Sequence, residues 1–317
     1  MTLVSYIIPC FNGESYILQC IASVFVQKGV KVEAIVVDDG STDSSAALVS
    51  EFIENNGEFQ VSLYMHDGRQ NKGVSASRKL GLMHSRGDYV CFLDADDYLV
   101  DDQKSALQVA EFIADPSLVM VHTAISVVGF DSNSQGFKAN FRANCRHGSY
   151  NYSRLKDSFI NNRICNSTAM VRRSALDKVF FDSLQCFQYE DWALWLLLSR
   201  LGNYKCIPRE TTAYRLHANS STSFVAKNKL RHYYSLIECK LIILGRCGYS
   251  MLALKIMMSL RQDLIDLIYF YSVEGSSGLL LPKKQRGPLL LIQALLSPWT
   301  HIAYQFKKIP YFFKGAR

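Results

Sequence analysis

Apolar positions along the first hundred residues alternate between two spacings. Val4-Ser5-Tyr6-Ile7-Ile8 is an apolar run of strand length, and Val32 to Val37, Val61 to Met65 and Tyr89 to Leu93 repeat it. Between the first two runs, Ile17, Cys20, Ile21, Val24 and Phe25 recur at helical spacing behind Glu14. Residues 74–85 and 102–113 also predict helices, and Ser41 to Ser44 offer caps for a helix after the second strand. Strands alternating with helices imply right-handed crossovers and a mostly parallel central sheet flanked by helices, an α/β fold. Ligands of such sheets lie at the carboxyl ends of the strands. The polar clusters fall at those ends: Phe11-Asn12 after the first strand, Asp38-Asp39 after the second, Asp94 to Asp97 after the fourth.

Beyond residue 118 the pattern weakens. Residues 118–170 predict short strands, with many Asn, Ser and Arg between 131 and 168. Glu190 to Leu201 predicts a helix rich in Trp and Leu, and residues 205–216 a short strand pair. Residues 228–272 predict two or three helices with broad apolar faces. The organisation expected is a domain over 1–224 and a helical, basic, apolar extension over 225–317.

Composition sharpens this in two places. Of the 317 residues, 49% are apolar, which excludes wholesale disorder. The net charge of +7 resides in residues 281–317, which hold seven Lys and Arg and no acid. The rest of the chain is neutral, so the basic balance is no general nucleic-acid footprint. Residues 287–306 carry no formal charge, a length that permits a membrane span. Pro298, two Gln and His301 weaken that reading. Flanking lysines and aromatics favour a segment lying on an anionic membrane surface, against the blander reading of a tail packed on its own domain or on a second subunit. The nine cysteines include no CxxC pair, so a reducing compartment is expected rather than a disulfide framework. No basic leader or cleavage site precedes the first strand, so no signal peptide is expected.

Four constellations can carry chemistry. In Asp94-Ala95-Asp96-Asp97, three carboxylates crowd one turn and call for solvent, protons or a cation. Asp94 and Asp96 form a DxD pair, able to hold Mg²⁺ or Mn²⁺ and leave room for phosphate oxygens, or simply to form a solvated acidic turn. Asp38-Asp39-Gly40-Ser41 can receive a base or ribose, or cap a helix. Glu190-Asp191-Trp192 opens an apolar helix, where acids either complement the helix terminus or supply a general base. Arg215 and His217 lie two apart, suited to phosphate and metal, or to a surface turn. Lys72, Arg78 and Lys79 can meet phosphate or face water. Neither opening strand is followed by GxGxxG, which counts against a dinucleotide fold.

Together these residues resemble the family 2 glycosyltransferases with the GT-A nucleotide-diphospho-sugar transferase fold, of the bacterial cell-envelope polysaccharide type. The order Ile8-Pro9-Cys10-Phe11-Asn12-Gly13, Val37-Asp38-Asp39-Gly40-Ser41-Thr42-Asp43, Asn71-Lys72-Gly73-Val74-Ser75, Phe92-Leu93-Asp94-Ala95-Asp96-Asp97 and Glu190-Asp191-Trp192 is the family's order. The match is dense over 3–100, thins near 190 and 215, and stops before 225. The resemblance divides the first domain into a nucleotide-sugar-binding half, 1–100, and an acceptor-binding and catalytic half, 101–224. It implies a donor site of Pro9, Phe11, Asn12, Asp38, Asp39, Lys72, Gly73, Arg78, Asp94, Ala95 and Asp96. It implies a divalent cation, Mn²⁺ or Mg²⁺, on Asp96, Asp94 and His217, with Asp191 as catalytic base. Glu190, Trp192 and Arg215 would contact acceptor or phosphate. Ser77 and Lys79 depart from the family's frequent Ala and Asn. The activity implied is inverting transfer of a hexosyl or N-acetylhexosaminyl group from a nucleotide sugar, with UDP favoured, to a glycan or lipid-linked hydroxyl. The place implied is the cytoplasmic face of the cell membrane. The alternative is a catalytically silent nucleotide-sugar-binding or scaffold subunit, and a homo-oligomer is compatible with either.

Overall fold

In a computed structural model of the chain, the residues described are 1–129, 149–150, 162, 164–179, 190–217, 235–237, 239–241, 259–260 and 263–264. The chain divides into two compact units, Met1–Phe224 and Val225–Arg317. The described residues of the second unit are helical, and its fully buried Lys240 is paired with Asp263. The rest of the helices expected over 228–272, and the whole tail at 281–317, lie outside the described residues.

The first unit is built on one nine-stranded sheet. Strands β1 (Leu3–Cys10), β2 (Lys31–Asp38), β3 (Val61–Met65) and β4 (Tyr89–Phe92) run parallel in the spatial order β3-β2-β1-β4. Helices α1 (Ile17–Phe25), α2 (Ser45–Asn55) and α3 (Val74–His84) make the crossovers, and α4 (Lys104–Ala114) follows β4 and the short β5 (Tyr98–Leu99). Burial explains why β1 reads as an apolar run and not as an alternating one. Val4, Tyr6, Ile7 and Ile8 are all 0% exposed, as in a parallel strand covered on both faces. Gly81 lets α3 lie against the sheet, since a Cβ there would sit 2.4 Å from Ile7 Cγ2.

The other half of the sheet is mixed. Short β8 (Met170–Arg172) joins β4 to β6 (Leu118–Val128) with antiparallel pairing on both sides. β6 then pairs in parallel with β9 (Asn203–Arg215), which carries β5 and β7 (Ser149–Tyr150) on its far side. Two expectations are corrected here. Residues 118–128 form one long strand, not short pieces, and 203–215 form one strand of 13 residues, not a pair. Pro208-Arg209 is absorbed as a register shift between Thr123 and Ala124 of β6. Cys206 is disulfide-bonded. Cys10, Cys20, Cys91, Cys165 and Cys239 are free and buried.

β5 and the last helix of the unit, α5 (Glu190–Leu198), complete the frame around the site. Register puts Cys10 opposite Asp38 and Ile7 opposite Phe92, so β1, β2 and β4 end along one edge. The acidic turn after β4 therefore stands beside the loops that follow β1 and β2.

Candidate functional site

The loops after β1 and β2 are zipped together. Asn12, at φ 51°, accepts the Thr42 N–H (2.8 Å), while its own N–H donates to Ser41 Oγ (3.0 Å). Gly13 N–H donates to Ser45 Oγ (2.8 Å), Glu14 N–H donates to Asp43 Oδ2 (3.1 Å), and Glu14 Oε2 accepts the Ser44 N–H (3.0 Å) across the same gap. Of the candidates from Ser41 to Ser44, Asp43 accepts the Ser45 N–H (3.0 Å), and Ser44 makes no side-chain cap. This zipper leaves the Phe11 ring 51% exposed at the sheet edge, beside the half-buried Pro9.

Asp38 and Asp39 are both 4% exposed and act locally. Asp38 Oδ2 accepts the Ser41 N–H (3.2 Å) and shapes the turn. Asp39 accepts the N–H groups of Lys72 (2.7 Å) and Gly73 (2.9 Å), with His66 Nε2 3.5 Å away. Gly40, at φ 77°, permits the close approach of the 69–71 backbone; a Cβ there would meet Arg69 O at 2.7 Å. The residue expected to read the base is thus also the one that fixes the turn into α3. Lys72 stands exposed in that turn.

Arg78 does not face water. At 5% exposure it reaches Asp94 Oδ1 through Nη2 (2.6 Å) and Glu190 Oε1 through Nη1, with its guanidinium carbon 5.8 Å from the Phe92 ring centroid. Although burial works against its charge, the surrounding Asp94, Glu190 and Asp191 hold it protonated more firmly than usual.

The DxD turn is divided among three roles. Asp94 takes Arg78 and the Asn166 amide (3.2 Å), and its N–H donates to Ser167 Oγ (3.2 Å). Asp96 Oδ2 lies 2.9 Å from His217 Nε2; burial and then the Asp94 charge push its carboxyl up. Asp97, 2% exposed, accepts the Arg215 N–H (3.0 Å) and the Ser167 hydroxyl, a structural clamp whose carboxyl burial pushes well up. Ala95 between them is half-buried. Arg215 is committed too. Its Nε donates to Asp96 O (2.8 Å), and its guanidinium lies 4.7 Å from the Tyr16 ring and 5.2 Å from the Tyr98 ring. Tyr16 in turn packs 5.2 Å from the His217 ring.

The acid pair opening α5 meets this turn from the other side. Asp191 Oδ1 accepts the Trp192 N–H (2.7 Å), and Oδ2 accepts the Asn162 amide (2.6 Å). Burial, then the neighbouring Glu190, raise the Asp191 pKa to about 7, against the opposing pull of Arg78. Burial also raises Glu190, which Arg78 opposes. Trp192, expected to touch acceptor, is 0% exposed and packs in the core, since α5 is apolar nearly all round. A cavity of about 10 Å³ is lined by Ser75, Arg78, Phe92, Asn166, Glu190, Asp191 and Leu194.

The structure thus gathers Asp94, Asp96, Glu190, Asp191, Arg78 and His217 about the edge where β4 ends. Sequence reasoning missed Asn162, Asn166, Ser167 and Tyr16. The abundance of Asn and Ser between 131 and 168 was the one signal for the first three, and it named no partner.

Comparisons with known proteins agree with this arrangement. Residues 5–180 match the family described as Glycosyl transferase family 2. An uncharacterized glycosyltransferase of Haemophilus influenzae is 27% identical over 230 residues, 73% of this chain and 81% of that protein. Chondroitin synthase of Escherichia coli is 27% identical over 252 residues, 78% of this chain; the chain spans about a third (34%) of that longer protein. Among solved structures, S. aureus TarS 1-349 in complex with UDP gives a TM-score of 0.58 at 17% identity, covering 96% of this chain and 87% of that one. The mannosyltransferase PcManGT of Pyrobaculum calidifontis, in complex with GDP-Man and Mn²⁺, gives 0.57 at 16% identity, covering 93% and 87%. The fold, the ordered motifs and the matched span place this chain in glycosyltransferase family 2, with a GT-A-like fold.

Proposed function

We propose that the protein is an inverting glycosyltransferase. It moves a hexosyl or N-acetylhexosaminyl group from a nucleotide sugar, most simply a UDP-sugar, to a hydroxyl of a glycan or lipid-linked acceptor in cell-envelope polysaccharide synthesis. The observation that carries this reading is Asp191. It is a carboxyl titrating near neutrality, held by two neutral donors at the lining of a small cavity, where Arg78 of the same lining bonds Asp94 of the DxD turn. Asp191 would take the acceptor's proton as its oxygen attacks the anomeric carbon from the face opposite the diphosphate, so one displacement inverts that carbon. Asp39 and the zipped 11–14 and 41–45 loops would form the wall for the base, with Lys72 exposed toward phosphate.

Among the described residues Asp94, Asp96 and His217 are not gathered into a ready-made metal cluster, and Asp94 Oδ1 is engaged by Arg78 and Asn166. Two carboxylates and an imidazole are nonetheless donor types that a divalent cation takes, and Asp96 already lies 2.9 Å from His217. Mn²⁺ or Mg²⁺ on Asp96, Asp94 and His217 would neutralise charge on the leaving diphosphate. Accordingly, Asp96→Asn should abolish the gain in nucleoside diphosphate affinity that Mn²⁺ confers. Isothermal titration with and without Mn²⁺ reads this directly, and an unchanged gain removes Asp96 from the cation site.

The deciding experiment is a donor-binding screen over nucleotide sugars with Mn²⁺, followed by nucleotide-release assays with lipid-linked and glycan acceptors. Binding without transfer under every acceptor condition would favour the silent-subunit alternative. No helix among the described residues is long and apolar enough to cross a membrane. Residues 281–317 are proposed to bring the enzyme to the anionic cytoplasmic face of the membrane, each Lys or Arg contributing about 1 kcal/mol there. Full-length protein should float with anionic liposomes and a 1–280 truncation should not; equal flotation of both discards the tail as anchor.

A further inference from the structure

The two acids that open α5 are held by different chemistry. Glu190 takes the Arg78 guanidinium, a permanent cation. Asp191 takes the side-chain amide of Asn162, a neutral donor, at 2.6 Å. The orientation of that amide is not free. Asn162 Oδ1 accepts the N–H of Ile164 (3.2 Å), so Nδ2 must be the atom facing Asp191; the flipped amide would set a donor against a donor and an oxygen against a carboxylate. An amide so fixed can only donate to Asp191. It therefore favours the carboxylate over the protonated acid, which would need an acceptor there.

We infer that Asn162 is the positioning residue of the acid pair: its amide, locked by Ile164, holds Asp191 as a proton acceptor of fixed orientation while adding no charge beside it. This rests on the reading of Asp191 as the base. The absence of charge matters. A lysine or arginine in place of Asn162 would also fix the carboxylate, but would reduce its basicity, as Arg78 does for Glu190. The groups facing Asp191 are Glu190 from its own helix, Arg78 from α3, Asp94 from the turn after β4, and Asn162. Burial, Glu190 and Asp94 favour protonation; Arg78, the Trp192 N–H and Asn162 oppose it. Asn162 is the member of that set that offers a side-chain hydrogen bond to Asp191 without charge.

The test uses the full chain and two substitutions. Asn162→Asp keeps an oxygen for the Ile164 N–H and replaces only the donor. Asn162→Leu removes both functions. The Asp191 carboxyl is titrated by ¹³C NMR in aspartate-labelled protein, with Asp191→Asn to assign the signal, and kcat is followed against pH with the donor found in the screen. Loss of one hydrogen bond to a charged group should move the Asp191 midpoint upward by about one to two pH units, more for Asp than for Leu. The acidic limb of kcat should move with it, while KM for the donor stays within about twofold. UDP titration verifies that each variant retains its donor site. A midpoint unmoved in both variants overturns the inference and leaves the base reading intact. A midpoint that moves while the kcat profile stays fixed overturns it as well. Full transfer by Asp191→Asn would sink the base reading first and the role of Asn162 with it.

Discussion

Asp191→Asn should leave nucleoside diphosphate binding unchanged and lower transfer by roughly 10²–10⁴-fold, the usual worth of a general base. The separation follows from where Asp191 sits. Its hydrogen-bond partners are Trp192 N–H and Asn162, neither of which belongs to the DxD turn. In the wild type, kcat should fall as pH drops through about 7, because the protonated carboxyl cannot accept a proton. The same shift makes a statement about stability. The folded-state value of about 7 lies above the ordinary 3.8, so the folded chain keeps a proton that the unfolded chain releases between them. That contribution is complete below pH 3.8 and is lost as pH rises through about 7. Asparagine carries no such loss, so the variant should melt higher than the wild type at pH 8 and gain least at acid pH. Transfer kinetics at saturating donor and melting curves at pH 5 and 8 check both. A rate within about twofold of wild type would release Asp191 from the role and turn attention to Glu190.

The parts of the site that were legible in the sequence are those where the chain itself carries the geometry. In β1, β2 and β4, an apolar run and the polar residue that ends it are neighbours in sequence, so Phe11-Asn12, Asp38-Asp39 and Asp94 could be placed at one sheet edge before any coordinates. β6 was hidden because His122 and Thr123 interrupt its apolar run. Both are buried, His122 against Tyr150 and Thr123 against Thr211, and burial lowers the His122 pKa to about 4 so that it sits neutral in the sheet. β9 was hidden by Pro208, Arg209 and Glu210, which read as a turn but are taken up by the register shift. The partners of Asp94, Asp97 and Asp191 were hidden for a different reason. Asn166 and Ser167 lie some seventy positions after Asp94 and Asp97. No local pattern announces a hydrogen bond closed over that distance. Trp192 was placed at acceptor or phosphate by its position in the Glu190-Asp191-Trp192 motif, and because α5 is apolar nearly all round, its pattern gave no hint of which face meets a ligand.

Arg78→Met should destabilise the first unit by about 3–5 kcal/mol, the cost typical of leaving buried charges without their partner. Methionine keeps an unbranched apolar side chain as far as the arginine Nε position and so retains the packing of the aliphatic stem, though not the guanidinium over Phe92. What methionine cannot do is offset Asp94 and Glu190. The Glu190 side chain is 9% exposed and its carboxyl is already pushed up by burial with Arg78 in place. Without the guanidinium, Glu190 should rise further, and Asp191 with it, since Arg78 is the charge that lowers both. The penalty therefore belongs to the ionised carboxylates and should shrink as pH falls and they protonate. Urea unfolding at pH 8 and pH 5 separates the causes: a deficit much larger at pH 8 is electrostatic, whereas equal deficits would assign Arg78 to packing on Phe92. Arg78→Lys should recover only part of the loss, because one ammonium cannot present two divergent donors to carboxylates on separate elements. The Arg78→Met, Glu190→Gln double variant closes the cycle. If the guanidinium chiefly neutralises Glu190, the double variant should be more stable than Arg78→Met alone, and a purely additive loss would break the link between the donor-side turn and the acid pair.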